Sequence, residues 1–525
     1  MHDTTELAVR PVLSADDIEQ RFDRLQKTLP AQWKLIGSLN QYEQTMIVVP
    51  SISIDLETPG LVLQAYEERF LFLLLLLRKP RMRVIYVTSQ PILPSILGYY
   101  LGLLPGVIGS HAQKRFFDVT PLDGSPRPLS AKLLERPRVL DRIRSLIPSR
   151  DQTHLVPYNT TALERELAVR LGIPMYGADP KFFPLGTKSG SRRLFQEEGV
   201  PHPIGIENIA SVDDAVQAVR RIRSERPGVS QVLVKLNEGV SGEGNALVDL
   251  SNLPPPGSPD EERAVRGRVE AMSFESPTVR FDGYAAKLAE RGGIVEERIV
   301  GEEIRSPSVQ MRVTPFGDLE LLSTHDQLLG GPSGQSYLGC KFPADPAYAA
   351  AITREAAKIG RRLAKEGVIG RFALDFVVVR KAGSDRWDVY AIEINLRKGG
   401  TTHPYLTLQF LTDGTYHAED AAFRTPLGRE KCYVATDHME SPAFRALTPD
   451  DLFDVTVRHG LHFNQSTQTG IVYHMMATLS ECGRLGLTAI GDTPAEAQSL
   501  YERAQHVLEM EAREALFDRG LPGEK

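Results

Sequence analysis

Two acidic residues and an amide stand in strand-like sequence where a sheet gains nothing from them. Asp375 lies in GRFALDFVVVR, and Glu393 and Asn395 lie in DVYAIEINLR. Asp, Asn and Glu are depleted in strands, and an unpaired buried carboxylate is costly, so all three require partners. Phe372, Leu374, Phe376 and Val378 alternate along the first run, which puts Arg371, Ala373, Asp375 and Val377 on the opposite face. In the second run Tyr390, Ile392, Ile394 and Leu396 take one face and leave Glu393, Asn395 and Arg397 on the other. The intervening KAGSDRWD carries the Gly, Ser and Asp of a hairpin connection. Antiparallel pairing then sets Asp375 against Glu393 and Asn395. Two carboxylates and an amide oxygen are hard ligands, suited to Mg²⁺ shared with substrate phosphates. A hairpin with one solvated face and chance acids is the competing reading of this stretch alone.

Three further stretches could serve the same chemistry. Lys188 is expected in a polar loop that opens a helix, and Lys235 within the apolar strand QVLVKL. A lysine among Val and Leu needs a partner for its charge, and nucleotide phosphates would provide one; a snorkelling surface lysine is the alternative. NEGVSGEGN follows Lys235 directly, and its glycines allow backbone N–H groups to fold over phosphate oxygens. It lacks the Gly-Lys-Ser/Thr ending of a Walker A loop. In GIVEERIVGEE an apolar strand runs into acids and turns at Gly301. There the backbone of Glu296 to Ile299 could meet a purine edge and Glu303 the ribose hydroxyls, unless the strand is merely an exposed edge.

The elements around these residues read as α/β. Met46 to Pro50 is a strand, Leu61 to Leu77 a helix that includes the buried run FLFLLLLL, and Arg83 to Thr88 a second strand. This is the pattern of a parallel sheet. Thr161 to Leu171 is a helix stopped by Gly172 and Pro174, and Val212 to Arg223 is another. Ile294 to Ile299 and Ser308 to Val313 read as strands, Asp326 to Pro343 as a long Gly-rich loop, GIVYHMMATL as strand-like, and Thr493 to Leu516 as a helix. No GxGxxG opens a helix in the first section, so a dinucleotide fold has no fingerprint there.

A chain of 525 residues suggests about three domains. Its 42% hydrophobic and 24% charged residues fit a globular protein in water, and a net charge of −6 argues against nucleic acid as the partner. Three scattered cysteines exclude a disulfide framework and a Cys-rich zinc site, and fit a reducing cytoplasm. The apolar run is too short to span a bilayer, so no membrane association is expected.

Lys188, Lys235 with its glycine loop, VEERIVGEE, Asp375 and EINLR, in this order, resemble the ATP-grasp superfamily. More narrowly, TSQPILPSILGYYLGLLPG, GTKSGSRRLFQEEGVPHP and VYHMMATLSECGRLGLTAIGDTPAEAQSLYERA resemble carboxylate–amine and peptide ligases of the pheganomycin peptide-ligase type. The resemblance implies α/β and α+β architecture: an N-terminal extension (1–42), a parallel α/β pre-ATP-grasp domain (43–183), an ATP-grasp domain of two α+β subdomains clamping ATP (184–447), and a small C-terminal α+β domain (448–525).

It also implies roles. Lys188, Lys235, Gly239, Ser241 and Gly242 would hold the ATP phosphates, Glu296 and Ile299 the adenine, and Glu303 the ribose. Asp375, Glu393 and Asn395 would hold Mg²⁺, with two ions expected and Mn²⁺ a substitute. Arg397 would steady the transferred phosphoryl group. Arg371 is the other catalytic candidate, although it stands four residues before the metal aspartate where relatives have two. Gln335 and Tyr337, within GGPSGQSYLGC, and His403 are the substrate-binding candidates. The implied activity joins a carboxylate and an amine, each an amino acid or peptide, through an acyl phosphate, with release of ADP and phosphate. Lids are expected at 239–245 and 326–340. Transfer to a thiol or hydroxyl, carboxylation, and a non-catalytic ATP-binding regulator are the alternatives, and relatives of this kind often form homodimers.

Overall fold

The computed structural model describes residues 13–37, 43–54, 60–239, 244–275, 279–331, 334–381 and 383–518. The chain opens on a parallel sheet of order β3-β2-β1-β4, built from β1 (Gln44–Val49), β2 (Met82–Val87), β3 (Phe116–Val119) and β4 (Thr153–Pro157). Its strands are near-continuous apolar runs because both faces are covered. Met46 and Val48 enter one core, while Ile47 and Val49 enter another. The helix Ala162–Leu171 begins at a capping box between Thr161 and Glu164 and stops at Gly172, which adopts φ 71°.

An antiparallel sheet of order β5-β9-β6-β7-β8 follows, from β5 (Gly205–Ile209), β6 (Gln231–Leu236), β7 (Asn245–Asp249), β8 (Ser273–Phe274) and β9 (Gly293–Glu297). Val232, Val234 and Leu236 of β6 face the core beneath the helix Val212–Glu225. Leu233 and Lys235 therefore face the other way.

The largest sheet has nine strands among the described residues. They are β10 (Glu303–Arg305), β11 (Pro307–Val313), β12 (Leu319–Gly330), β13 (Ser336–Phe342), β14 (Gly370–Arg380) and β15 (Trp387–Asn395), then, past the small hairpin β16 (Thr415–His417) and β17 (Ala422–Arg424), β18 (Cys432–Glu440), β19 (Gly470–His474) and β20 (Arg484–Gly491). Their order is β10-β14-β11-β12-β13-β18-β20-β19, with β15 paired to β14. The sheet thus continues without interruption across residue 448. The helix Pro346–Glu366 covers one part of it, and the helix Pro494–Asp518 packs on β18 and β20.

Several elements depart from the sequence reading, each for a local reason. Asp326 to Pro343 is not a loop: it forms most of the β12–β13 hairpin, with the turn near Gly331 and Gly334. One of the glycines that suggested a loop, Gly339, sits inside β13, where a Cβ would lie 2.2 Å from Ala435 O. It marks close approach of β18, not a turn. The expected lid at 326–340 is accordingly a paired hairpin.

The apolar run FLFLLLLL does not extend the preceding helix, which ends at Glu68; Leu71–Arg78 is a 3₁₀ helix. It is covered on nearly every side, so no 3.6-residue stripe is demanded of it. Strand β9 ends at Glu297, before Ile299. Strand β19 ends at His474, because Met475 turns the chain with φ 56°.

Lys188, expected in a loop, is the first residue of the helix Lys188–Glu197, whose N-cap Thr187 accepts from Gly190 N through Oγ1 at 3.0 Å. This start is demanding, since a Cβ on Gly190 would lie 1.9 Å from Pro184 O. Gly190→Ala is expected to cost about 1–3 kcal/mol, the range for forced overpacking. Denaturant unfolding measures it, and an unchanged midpoint would contradict this helix start.

Candidate active site

Hairpin β14–β15 pairs Asp375 with Glu393 and Ala373 with Asn395. The register shifts between Asp375 and Phe376, since Asp375 opposes Glu393 but Phe376 opposes Ala391. Ile392 is the extra residue of a β-bulge, and a bulge changes which face later side chains take. Trp387, Val389, Ala391, Ile394 and Leu396 pack toward the core, while Ile392, Glu393 and Asn395 line a cavity. The expected alternation holds after the bulge and fails before it, where Ile392 parts from Ile394.

That cavity is about 540 Å³ in volume, within the range of small-molecule sites. Its walls come from both antiparallel sheets and from segments that follow β1 and β4 of the parallel layer. Lys188, Lys235, Gly239, Glu296, Ile299, Asp375, Glu393, Asn395, Arg397, Gln335 and Tyr337 line it, so most of the candidates meet in one place. Ser241 and Gly242 lie outside the described residues.

The carboxylates are held unequally. Lys188 Nζ stands 2.9 Å from Glu393 Oε2. Burial alone would raise Glu393, but Lys188 and then Lys235 hold its carboxyl well below the ordinary value. Burial, followed by the charge on Glu393, raises Asp375 above its ordinary value, with the Ser308 hydroxyl donating to it. Asn395 Nδ2 donates to Asp375 Oδ2 at 2.9 Å and to Glu393 Oε1 at 3.1 Å. Turned over, the same amide would present Oδ1 to the same space. Three oxygen donors with neither sulfur nor imidazole suit a hard divalent cation. The residues present fit one.

Lys235 already has a partner, so phosphate is not needed to explain its burial. Register Leu233↔Glu296 and Lys235↔Ile294 makes Lys235 and Glu296 diagonal neighbours on one face. The ammonium lies 2.6 Å from Glu296 Oε1, and Arg192 Nη1 lies 3.0 Å from Glu296 Oε2. Burial would raise the Glu296 carboxyl, yet these two cations hold it below the ordinary value. Past the end of β9, Arg298 N donates to Gln231 O, and Ile299 reaches the cavity.

Arg397 Nη1 donates to Tyr158 Oη at 3.3 Å and to Lys398 O at 3.2 Å, and no ion pair is made by Arg397 among the described residues. Burial would raise the Tyr158 phenol, but Arg397 and Arg69 pull it below the ordinary value.

Three candidates stand off the cavity wall. Glu303 receives Arg380 Nη2 at 2.6 Å and also pairs with Arg305. Arg371 pairs in register with Arg312 across β11 and β14, and burial followed by that arginine pushes its guanidinium down to about 10. His403 is buried, with Nε2 3.2 Å from Asp437 Oδ1 and 3.0 Å from His474 Nε2; burial pushes the ring down to about 3, so it is neutral.

Sequence reading missed Ser308, Gln327, Arg69, Tyr158, Asp437, His438 and Arg484, which also line the cavity or contact its acids. No local motif marks the first six, and Arg484 lies in the family-like run 472–504 without being singled out by it. Asn245 was within reach, at the end of NEGVSGEGN, and its Nδ2 donates to Gln335 Oε1 at 2.6 Å.

Comparison with known proteins places this arrangement. A family profile described as "IQCH-like, ATP-grasp" matches residues 183–270 and 271–419, and one described as "PGM1 C-terminal domain" matches residues 451–504. Residues 183–419 belong to the ATP-grasp superfamily. It is similar to L-propargylglycine–L-glutamate ligase of Streptantibioticus cattleyicolor, at 29% identity over 93% of this chain and 96% of that one. It is also similar to IQ motif-containing protein H of Danio rerio, at 26% identity over 78% of this chain but only 42% of that longer protein. Among solved structures, the biotin carboxylase domain of the Hydrogenobacter thermophilus 2-oxoglutarate carboxylase superposes with a TM-score of 0.53 at 14% identity, over 88% of this chain and 90% of that one. That likeness shows the ATP-grasp fold alone. No described helix is long and apolar enough to cross a membrane.

The raised Asp375 carboxyl gives cation binding a sign in pH. A proton and a cation compete for the pair, so affinity falls as pH falls through the Asp375 value, by about tenfold per unit for one displaced proton. Calorimetric titration with Mg²⁺ and a non-hydrolysable ATP analogue at about pH 6 and pH 8 tests this. Equal affinity with no proton release would contradict it.

Proposed function

We propose that this protein is an ATP-dependent ligase that joins a carboxylate to an amine through an acyl phosphate and releases ADP and phosphate. One observation carries the reading: Asp375, Glu393 and Asn395 share a cavity with two lysines and with Arg397, a guanidinium without an acidic partner among the described residues. The named activity of the S. cattleyicolor relative, which matches along nearly its whole length, supports it. The substrates are then an amino acid or short peptide on each side of the new bond.

The chemistry needs little from the protein beyond position and charge. A carboxylate is a poor electrophile until one of its oxygens attacks the γ-phosphorus of ATP, breaking the bond to ADP and giving a mixed anhydride. The amine then attacks the acyl carbon, inorganic phosphate departs, and the nitrogen gives up a proton. Each step gathers negative charge in a space where dielectric screening is low, so fixed cations lower the barrier.

Arg397 is suited to this, because only its Nη1 is engaged among the described contacts, which leaves the rest of the guanidinium for phosphoryl or carboxyl oxygens. Lys188 and Lys235 would meet ATP phosphates, Lys188 by exchanging Glu393 for an anion. Ile299, beyond the last β9 pair, would meet adenine, whereas Glu296 is paired with Gly205 on one side and Leu233 on the other and would line the pocket by its side chain. Asp375, Glu393 and Asn395 would hold Mg²⁺, which when bound shields the phosphates and favours in-line transfer. Gln335 and Tyr337 line the same cavity and would touch the acceptor.

Glu303 toward ribose and Arg371 toward phosphate remain part of the proposal only if the pairs they make here open when ATP binds. His403 would act on substrate through Asp437. The proposal retains the domain division at 42, 183 and 447, a cytoplasmic location, two ions with Mn²⁺ as a substitute, and a homodimer. The location rests on the three scattered cysteines and the others on the family resemblance.

The test is ADP release from Mg·ATP across pools of amino acids and dipeptides, with product masses read by mass spectrometry. A product equal to two substrates less one water, with turnover falling on the order of 100-fold or more in Glu393→Gln, is expected. ADP formation that needs bicarbonate and yields a carboxylated product would overturn the reading.

A further inference from the structure

Three guanidinium groups line the cavity without an acidic partner among the described residues: Arg298, Arg397 and Arg484. Arg298 stands at the strand end expected to meet the nucleotide, and Arg397 beside the carboxylate pair. Arg484, the first residue of β20, is left without a part in the reaction.

Its surroundings are built to hold it still. Arg484 Nε donates to Asp437 O at 2.8 Å, Nη2 lies 3.0 Å from His438 Nε2, and the same nitrogen reaches Tyr66 Oη at 3.4 Å. Burial, and then Arg484 itself, lower the His438 ring below its ordinary value, so the imidazole is neutral and its Nε2 accepts. Nη1 has no partner among the described contacts. A bulge in β18 puts Asp437 and His438 at this point: Thr436 pairs with Leu487 and Met439 with Leu485, leaving two residues of β18 across from one of β20.

The acid beside Arg484 does not neutralise it. Asp437 turns its carboxylate away to Arg69 Nη1 at 2.5 Å and to His474 Nε2 at 2.8 Å. Arg69 in turn lies over the rings of Tyr66 and Tyr158, at 4.8 and 5.5 Å. Arg484 and Arg397 are therefore separated by a run of Asp437, Arg69 and Tyr158. Ile52, Ile54 and Val62 add an apolar wall to the same cavity.

A fixed, partly buried guanidinium with a free edge is a receptor for a planar anion. We propose that Arg484 binds a substrate carboxylate other than the one being activated, so that one of the two substrates must carry such an acid. This rests on the ligase reading. The acid is either the second carboxylate of a dicarboxylic donor or the carboxylate of an amino-acid acceptor; the chemistry is shared, and the two sources are separable.

The test titrates the full chain, with Mg²⁺ and a non-hydrolysable ATP analogue present, and compares wild type with Arg484→Met and Arg484→Lys. The donor arm uses L-glutamate against L-glutamine and L-isoglutamine. The acceptor arm uses L-alanine against L-alaninamide. In one arm the wild type is expected to prefer acid over amide on the order of 10- to 100-fold, as for a hydrogen bond to a charged group. Arg484→Met should lose that preference and Arg484→Lys should keep part of it. A purely structural arginine would change stability but not the acid-to-amide ratio, so melting temperatures are read alongside. No preference in either arm, including no binding of any probe, overturns the proposal, as does a preference that survives in Arg484→Met. Should the preference appear as expected while no substrate pair yields ADP from ATP, the ligase reading fails and the subsite stands.

Discussion

A lysine ammonium 2.9 Å from a carboxylate sets the terms on which this site binds anything. Lys188 and Glu393 neutralise each other across the cavity, and breaking such a pair on one side only leaves an uncompensated charge in a poorly screened place. A cation arriving alone at Glu393 would strand Lys188, and a phosphate arriving alone at Lys188 would strand Glu393. Both together replace one ion pair by two. The site is thus biased toward a metal–nucleotide complex over either component. The helix that carries Lys188 is fixed to suit: Ser191 Oγ accepts from Ile394 N at 3.0 Å, and Ser189 N donates to Asn237 Oδ1 at 3.0 Å. One helix start therefore joins the strand of the metal acids to the strand end that follows Lys235.

Bulges do much of the aiming. A regular β15 would send Ile392 and Glu393 to opposite faces; the extra residue lets both reach the cavity while Ala391 and Ile394 stay in the core. In β18 the irregularity at Asp437 and His438 turns an acid toward Arg69 and a histidine toward Arg484. Bulges bend their strand and raise local twist, which suits a sheet that must curve around a ligand. The cost is a locally unpaired backbone, and in β18 Arg484 Nε supplies one missing donor by bonding Asp437 O.

The chemistry of the hairpin was legible because it breaks a strong rule. Acids in an apolar alternation are conspicuous, and a shared face for Asp375, Glu393 and Asn395 followed from period two and antiparallel pairing. The parallel first sheet, β6 with its single lysine, and the stop at Gly172 were equally local. What could not be read depends on partners distant in sequence. Gly339 looks like a loop glycine until β18 lies against it. Lys235 looks as though phosphate alone could answer its buried charge until Glu296 is seen beside it. Ile392 obeys the alternation in sequence and departs from it in space, because a bulge carries no signature in its own side chain. Arg69 and Tyr158 come from segments with no motif, Arg484 lies in a family-like run that does not single it out, and only the packing of the first and third sheets brings them to one wall.

That packing also determines which wall of the cavity can give. The parallel layer is bound to the far end of the large sheet by buried groups: Arg69 to Asp437, and Glu68, whose carboxylate receives Met476 N at 2.7 Å and Ala477 N at 3.0 Å. Parting these would take from Arg69 its acid and from Glu68 both of its backbone donors, at a cost of several kcal/mol. Contacts of the five-stranded sheet across the cavity are hydrogen bonds of single side chains. Asn245 meets Gln335 amide to amide, a neutral contact that water can replace at a net cost of about 1 kcal/mol, and Ser336 donates to the buried Glu275 at 2.8 Å, a bond to a charged group that costs about 1.5–3 kcal/mol. A nucleotide held between Lys235 and Glu393 would draw on these exchangeable contacts when the cavity opens or closes, while the acids, Arg397 and the Arg484 wall keep their mutual geometry.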